Sequence, residues 1–213
     1  MLKYDLHTHT HYSKCSNMKP EVLLKTAKKR GLNGIAVTDH GTIKGALEVK
    51  RLNKDKNFEV IVGEEISTMQ GDVLAYYLKE QIDAVDFFDA AEKIRKQNGL
   101  IIIPHPFRTS LNRNHKFKVP LYKIKKYIDA VEVFNARMLF NSENEKANNA
   151  ANKYSIAKTG GSDAHFKFEI ATGQTLFDGD LRKALKEKKT EAYGKLKFGA
   201  FAAFLSFVKI SRH

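Results

Sequence analysis

Five of the eight histidines, His7, His9, His40, His105 and His165, stand at the ends of short apolar runs that read as β-strands. The carboxylates Asp5, Asp39, Glu64, Glu65 and Asp163 fall at the same places. His7-Thr8-His9 has strand spacing, which sends both imidazoles to one side. Two imidazoles on one side make a poor core and a good metal chelate. Thr38-Asp39-His40, Gly63-Glu64-Glu65, Pro104-His105-Pro106 and Ser162-Asp163-Ala164-His165 add further donors. Nitrogen and oxygen donors without a set of thiolates suit Zn²⁺, Mn²⁺ or Fe²⁺ rather than an iron–sulfur cluster. The donors outnumber what one ion can use, so two or three divalent ions sharing a bridging carboxylate are expected. Asp5 and Asp39 precede ligand candidates and are expected to orient an imidazole or a loop. Clustered ions of this kind polarise a phosphoryl oxygen and generate hydroxide at neutral pH. Arg108 and Arg137 could then hold non-bridging phosphate oxygens, or be ordinary surface arginines.

Such side chains must be brought together by the elements that carry them. Apolar segments at 2–7, 34–38, 59–66, 73–78, 100–104, 130–134 and 156–160 read as strands, with 175–177 as a weaker candidate. Amphipathic segments at 19–30, 42–52, 86–97, 121–127, 142–154 and 180–188 read as helices. Pro20 and Gly31 supply the start and stop chemistry of the first helix. The alternation implies parallel strands with helices outside, and all strand C-termini then open on one face, where sites form. At about 30 residues per unit, 213 residues allow about seven units rather than eight. The six residues between Ile66 and Val73 are too few for a parallel crossover, so that pair is antiparallel or one bent excursion. The expected fold is α/β, a distorted (β/α)7 TIM-like barrel with the metal site at the C-terminal ends of the strands. An open doubly wound sheet is the alternative.

Composition bounds the rest. The chain carries 37 Lys plus Arg against 24 Asp plus Glu, a net charge of +13, with 42% hydrophobic residues. That balance fits a globular protein and excludes a disordered tail. Basic excess favours anionic partners, or is a compositional habit. It is densest from Arg108 to Lys126, with seven Lys or Arg, His115, and Phe107, Phe117 and Tyr122 interleaved. Cys15 is the single cysteine, which suits a reducing, cytoplasmic setting. Polar residues and histidines from position 5 speak against a signal peptide, and no apolar run approaches the roughly 20 residues of a membrane span. Phe198, Phe201, Phe204 and Phe207 recur every three residues as an aromatic helical stripe, expected to pack on the barrel, with a membrane-surface or partner helix as the alternative. Residues 1–190 are read as the barrel domain and 191–213 as a helical extension. Oligomeric state is not legible.

The motifs Asp-Leu-His-Thr-His-Thr at 5–10, Thr-Asp-His at 38–40, Gly-Glu-Glu-Ile-Ser at 63–67, His-Pro at 105–106 and Ser-Asp-Ala-His at 162–165 resemble the PHP (polymerase and histidinol phosphatase) family over about residues 1–190. The resemblance implies a distorted β/α barrel with a multinuclear metal centre that hydrolyses phosphate esters. It implies His7, His9, Glu65 and Asp163 as ligands of one metal, with Glu65 bridging. His40 and His165 become ligands of a second, and His105 serves a third ion or touches the phosphate. Glu65 is preferred to Glu64 because the family pattern is Gly, any residue, Glu, and because alternation places only one of the two on the site side. Two positions depart from the pattern. Cys15 stands where many members have an Asp or His ligand, so its thiolate could replace a carboxylate, or His11 could substitute. Asp72 is the nearest counterpart of a histidine that serves the third metal in other members, so two metals are expected rather than three.

These readings converge on a cytoplasmic metal-dependent phosphoesterase in which a metal-bound hydroxide attacks phosphorus and His or Arg side chains bind the phosphate. A phosphorylated small molecule, a nucleotide or a short oligonucleotide is the expected substrate. Two rivals come from other classes: a non-catalytic, metal-binding regulatory PHP module, and a nucleic-acid-binding barrel that uses charge alone.

Overall fold

The computed structural model describes residues 1–109 and 117–196, with Leu205 and Val208. Among the described residues nine strands, β1 (Leu2–Thr8), β2 (Gly34–Val37), β3 (Glu59–Thr68), β4 (Gly71–Tyr76), β5 (Leu100–Ile103), β6 (Ala130–Asn135), β7 (Ala157–Gly161), β8 (Gly173–Phe177) and β9 (Glu191–Gly194), form one sheet. The helices α1 (Pro20–Lys29), α2 (Lys44–Leu52), α3 (Phe87–Lys96), α4 (Leu121–Ile124), α5 (Asn141–Tyr154) and α6 (Leu181–Lys186) lie between them. The sheet runs β7-β6-β5-β4-β3-β2-β1-β8-β9. Its two flanks approach each other. Asp163 N donates to His7 O at 2.8 Å, His9 N to Ala164 O at 2.9 Å, and Gly160 N to Thr175 Oγ1 at 2.8 Å. The result is a nearly closed barrel, as expected.

The distortion has a definite location. β1–β2, β2–β3, β5–β6 and β6–β7 pair in parallel. β3 and β4 form an antiparallel hairpin in which Ile66 faces Val73, because the short link between them leaves no room for a crossover. β4–β5, β1–β8 and β8–β9 are also antiparallel.

Strand residues are buried on both sides, which is why these segments read as continuous apolar runs. Ile35, Val37, Val60, Val62, Val73, Ile101, Ile103 and Val131 pack on Leu23, Ala27, Ala46, Val49, Phe87, Ile94 and Ala147 of the helices. The alternate residues Ala36, Ile61, Leu74, Tyr76, Ile102 and Ala130 form a second cluster with Tyr4, Leu6 and Leu181. Local chemistry sets the helix ends. Pro20 opens α1, and Gly31, at φ 73, follows its C-cap. Asp86 caps α3 by accepting from Phe88 N at 2.8 Å.

Two expectations change in detail. The helix read over 121–127 is only the turn Leu121–Ile124. Residues 191–194, assigned to a helical extension, form β9 on β8, so the sheet continues past 190. Ladder hydrogen bonds to β8 outweigh the helical pattern that begins further on. The aromatic stripe at Phe198, Phe201, Phe204 and Phe207 lies outside the described residues, as does His115. No helix among the described residues is long and apolar enough to cross a membrane.

Glu64 and Glu65 separate as strand alternation requires. Glu65 enters the histidine cluster, whereas Glu64 turns away and accepts from Ile82 N at 2.9 Å, leaving Oε1 buried without a partner. Burial pushes the Glu64 carboxyl up to about 7, with the Ile82 N–H acting against it. The folded state therefore holds this proton more tightly than the unfolded chain does. Its penalty is absent below the ordinary carboxyl pKa, grows as pH rises, and is complete above about 7. Glu64→Gln is expected to match the wild type near pH 4.5 and to be more stable at pH 8, by on the order of 3 kcal/mol. Urea unfolding of the chelator-treated proteins at the two pH values checks this; a pH-independent difference would contradict it.

Candidate metal centre

The site forms where strand ends converge. His7 lies on β1, His9 and His40 just past β1 and β2, Glu65 on β3, His105 past β5, and Asp163 and His165 past β7. Backbone irregularities help aim these groups. Ladder register breaks between Asp5 and Thr8 and between Glu132 and Phe134, and such breaks re-aim side chains. His105 and Asp163 adopt left-handed φ values of 29° and 56°, a strained state for residues other than glycine.

Glu65 is the centre of the cluster. Its Oε2 is 3.2 Å from His7 Nε2, 3.3 Å from His9 Nε2 and 3.3 Å from His40 Nδ1. Its Oε1 is 3.2 Å from His105 Nε2. Asp163 Oδ1 is 3.4 Å from His9 Nε2 and 3.7 Å from His7 Nε2. His165 stacks beside His9 with ring centroids 4.3 Å apart. All seven metal-ligand candidates thus come together. Four overlapping donor groups lie within 4.8 Å: His9–His40–His165, His7–His105–Asp163, His7–His9–Glu65 and Glu65–Asp72–His105. Asp72 therefore joins the cluster at the place expected of it, hydrogen-bonded to Ser67 Oγ at 2.9 Å. Cys15 hydrogen-bonds the His40 side chain but belongs to none of the four groups. His11 is exposed and stacks on Tyr12, away from the cluster.

The donor set fits divalent cations. His9 Nε2 is fully buried and makes no hydrogen bond, yet two carboxylate oxygens face it. A buried ring nitrogen in this state is costly unless a cation takes its lone pair. Its other nitrogen, Nδ1, lies 3.2 Å from Ser13 Oγ. The Ser13 hydroxyl donates to Asp39 Oδ1 at 2.7 Å and accepts from His40 N at 3.0 Å. Ser13 is thus an acceptor toward His9, which fixes the proton on Nδ1 and leaves Nε2 open. Asp39 is anchored by Thr10 N and Thr10 Oγ1, both at 2.6 Å, and so organises the loop as expected. Asp5 accepts from Ser162 N at 2.9 Å and Ser162 Oγ at 2.6 Å, tying β1 to the strand-end loop that carries Asp163.

Electrostatics point the same way. Burial disfavours charge on Glu65, but the imidazoles of His40 and His7 outweigh it and hold the carboxyl well below its ordinary range. Asp163 is held low against burial by the charges of His7 and Arg108. Burial would lower His7, yet Glu132, Asp163 and Glu65 raise it well above its usual value. His40 rises to about 10 against burial, through Glu65 and Cys15. Burial and its histidine neighbours lower His9; burial and the Arg137 cation lower His165. Protons on His7 and His40 balance the carboxylates where divalent cations would do so, which makes metal uptake compete with protonation.

The two arginines differ. Arg108 is 19% exposed and its Nη2 is 3.1 Å from Asp163 Oδ2, so it reaches the cluster from the mouth. Arg137 is buried, with Nε 3.2 Å from Glu169 Oε1 and Nη1 against His165 Nδ1. Of the aromatics in the basic segment, Phe117 is buried edge-on to Phe87 and Phe107 is half-buried against the core. Tyr122 is the exposed ring of the three. Sequence reasoning passed over Ser13, Glu132, Asn135 and Glu169. The signal for Glu132 was present: a carboxylate inside the apolar strand Ala130-Val131-Glu132-Val133.

Comparison with known proteins agrees with this architecture. The PHP domain model matches residues 5–194. Two uncharacterized proteins of Methanocaldococcus jannaschii are similar, one 38% identical over 83% of this chain and 70% of its own, the other 37% identical over 63% and 82%. A 5′-3′ exoribonuclease of Haemophilus influenzae is 41% identical over 31% of this chain and 24% of its own. Among solved structures, a two-domain protein containing a predicted PHP-like metal-dependent phosphoesterase from Bacteroides vulgatus superposes with a TM-score of 0.75 at 21% identity, covering 98% of this chain and 69% of that one. PsfC from Pseudomonas syringae gives 0.72 at 17% identity, over 100% and 99%. The motif spacing, the barrel and the match from Asp5 to Gly194 together place this chain in the PHP domain family.

Proposed function

We propose that the protein is a metal-dependent phosphoric ester hydrolase acting on a phosphorylated small molecule, a nucleotide or a short oligonucleotide. The observation that carries this reading is one buried carboxylate, Glu65, facing four imidazoles, with His9 Nε2 left unpaired beside it. By the family pattern His7, His9, Glu65 and Asp163 would hold one ion and His40 and His165 a second, with His9 in donor range of that pair; Glu65, Asp72 and His105 form a further donor group. When bound, divalent ions supply Lewis acidity toward a phosphoryl oxygen and acidify water at neutral pH. The chain's own residues do the rest. Arg108 offers a guanidinium at the mouth for non-bridging phosphate oxygens. Its loop is fixed by Glu143 of α5, whose Oε1 accepts from Thr109 N at 2.6 Å. Arg137 and Glu169 hold His165 from below: Glu169 Oε2 accepts from His165 N at 2.8 Å.

Turnover of p-nitrophenyl phosphate with Mn²⁺, abolished by chelator and by His9→Ala, is the expected result. A folded, metal-loaded protein inert toward a broad panel of phosphate esters would favour a binding module instead. Arg108→Ala should lower kcat/KM about 10–100-fold, chiefly through KM, with metal content unchanged. Steady-state kinetics alongside metal analysis checks this; an unchanged KM would remove Arg108 from phosphate binding. A nucleic-acid barrel using charge alone would instead show RNA affinity with a steep salt slope that survives His40→Ala.

A further inference from the structure

β6 supplies none of the proposed ligands, yet one of its side chains touches the cluster from two sides. Glu132 is 2% exposed. Its Oε1 is 3.0 Å from His7 Nδ1. Its Oε2 accepts from His105 N at 3.0 Å and from Asn135 Nδ2 at 2.9 Å. Asn135 Nδ2 also lies 3.3 Å from Asp163 Oδ2. Glu132 and Asn135 therefore brace groups from the ends of three other strands, β1, β5 and β7. Both Glu132 oxygens are already committed, so it is placed to orient ligands and not to be one.

We propose that Glu132 is a positioning residue: by accepting the Nδ1 proton of His7 it presents Nε2 toward Glu65 and Asp163, and by accepting from His105 N it holds the strained backbone at that strand end. An imidazole whose outer nitrogen is bound to a carboxylate has a fixed tautomer, a fixed ring plane and a more basic inner nitrogen. Replacement by glutamine breaks the arrangement without changing its shape. The amide has one oxygen for three donors, and its NH2 then faces either His7 Nδ1–H or His105 N–H. The proposal rests on the metal-centre reading above.

The test uses the full chain with Co²⁺ alone. Calorimetry should show Glu132→Gln binding Co²⁺ about 10–100-fold more weakly than the wild type, with a similar unfolding midpoint in the metal-free proteins. In the Zn²⁺-loaded proteins, histidine ¹⁵N NMR should find His7 of the wild type ligated through Nε2 and protonated at a downfield Nδ1. That proton should move upfield in Glu132→Gln while the His40 and His165 signals hold. Equal Co²⁺ affinity in the two proteins would overturn the proposal. So would His7 ligation through Nδ1 in the wild type, a result that decides the matter even where the variant does not fold. Wild-type protein that takes up no Co²⁺ would instead defeat the metal centre itself, and is read without any variant.

Discussion

Replacing Glu65 with Gln is expected to cost on the order of a thousandfold or more in kcat/KM and most of the bound metal. The effect should exceed that of any single histidine, because both Glu65 oxygens are used: Oε2 toward His7, His9 and His40, Oε1 toward His105. An amide has the same shape but carries no charge, and its NH2 faces imidazole nitrogens. A second readout needs no metal. The Glu65 carboxylate is the chief opponent of burial at His40 and helps raise it to about 10, so Glu65→Gln should bring the His40 pKa down. NMR titration of the metal-free proteins measures that directly. Retention of full metal content by Glu65→Gln would mean the carboxylate does not bridge. Its neighbour Glu64 provides the contrast: Glu64→Gln alters the pH dependence of stability and should leave turnover near the wild-type level, since the side chain points to Ile82.

Gly161→Ala should be nearly as damaging to the site, through packing. A Cβ there would sit 2.4 Å from His7 Cβ and 2.8 Å from Glu132 Oε1. Those atoms cannot retreat without breaking the 3.0 Å contact between His7 and Glu132. A destabilisation of about 1–3 kcal/mol is expected, with metal affinity down roughly tenfold or more. Gly160→Ala separates the two effects. Its Cβ would meet Gln174 O of β8 at 2.5 Å, on the side away from His7. That variant should lose stability by a comparable amount while keeping the metal affinity of the folded protein. Urea unfolding with Co²⁺ titration distinguishes them, and equal loss of affinity in both would trace the Gly161 effect to general loosening.

The antiparallel hairpin at β3–β4 was readable because loop length alone limits the pairing. The choice of Glu65 over Glu64 was readable because alternation along a strand is local geometry. β9 was not: Glu191–Gly194 is half-exposed, without a strong apolar pattern, and is a strand because β8 offers it a ladder. Phe117 read as one of three rings interleaved in a basic stretch, but its burial against Phe87 depends on where α3 lies. Arg137 read as a phosphate-binding or surface arginine; it is buried, against Glu169 and His165.

The sequence by itself determined the donors, their order and their placement at strand ends, since residue type and strand periodicity are properties of short segments. It determined an α/β barrel of limited size, since segment lengths leave few other ways to bury both faces of the strands. Only the tertiary structure decided which atoms of Glu65 face which imidazoles, that Ser13 and Glu132 lie against the Nδ1 atoms of His9 and His7, and that Arg108 is part-exposed beside Asp163 while Arg137 is buried against Glu169. Those facts depend on distances of about 3 Å between residues up to 125 positions apart, and no local pattern encodes such distances.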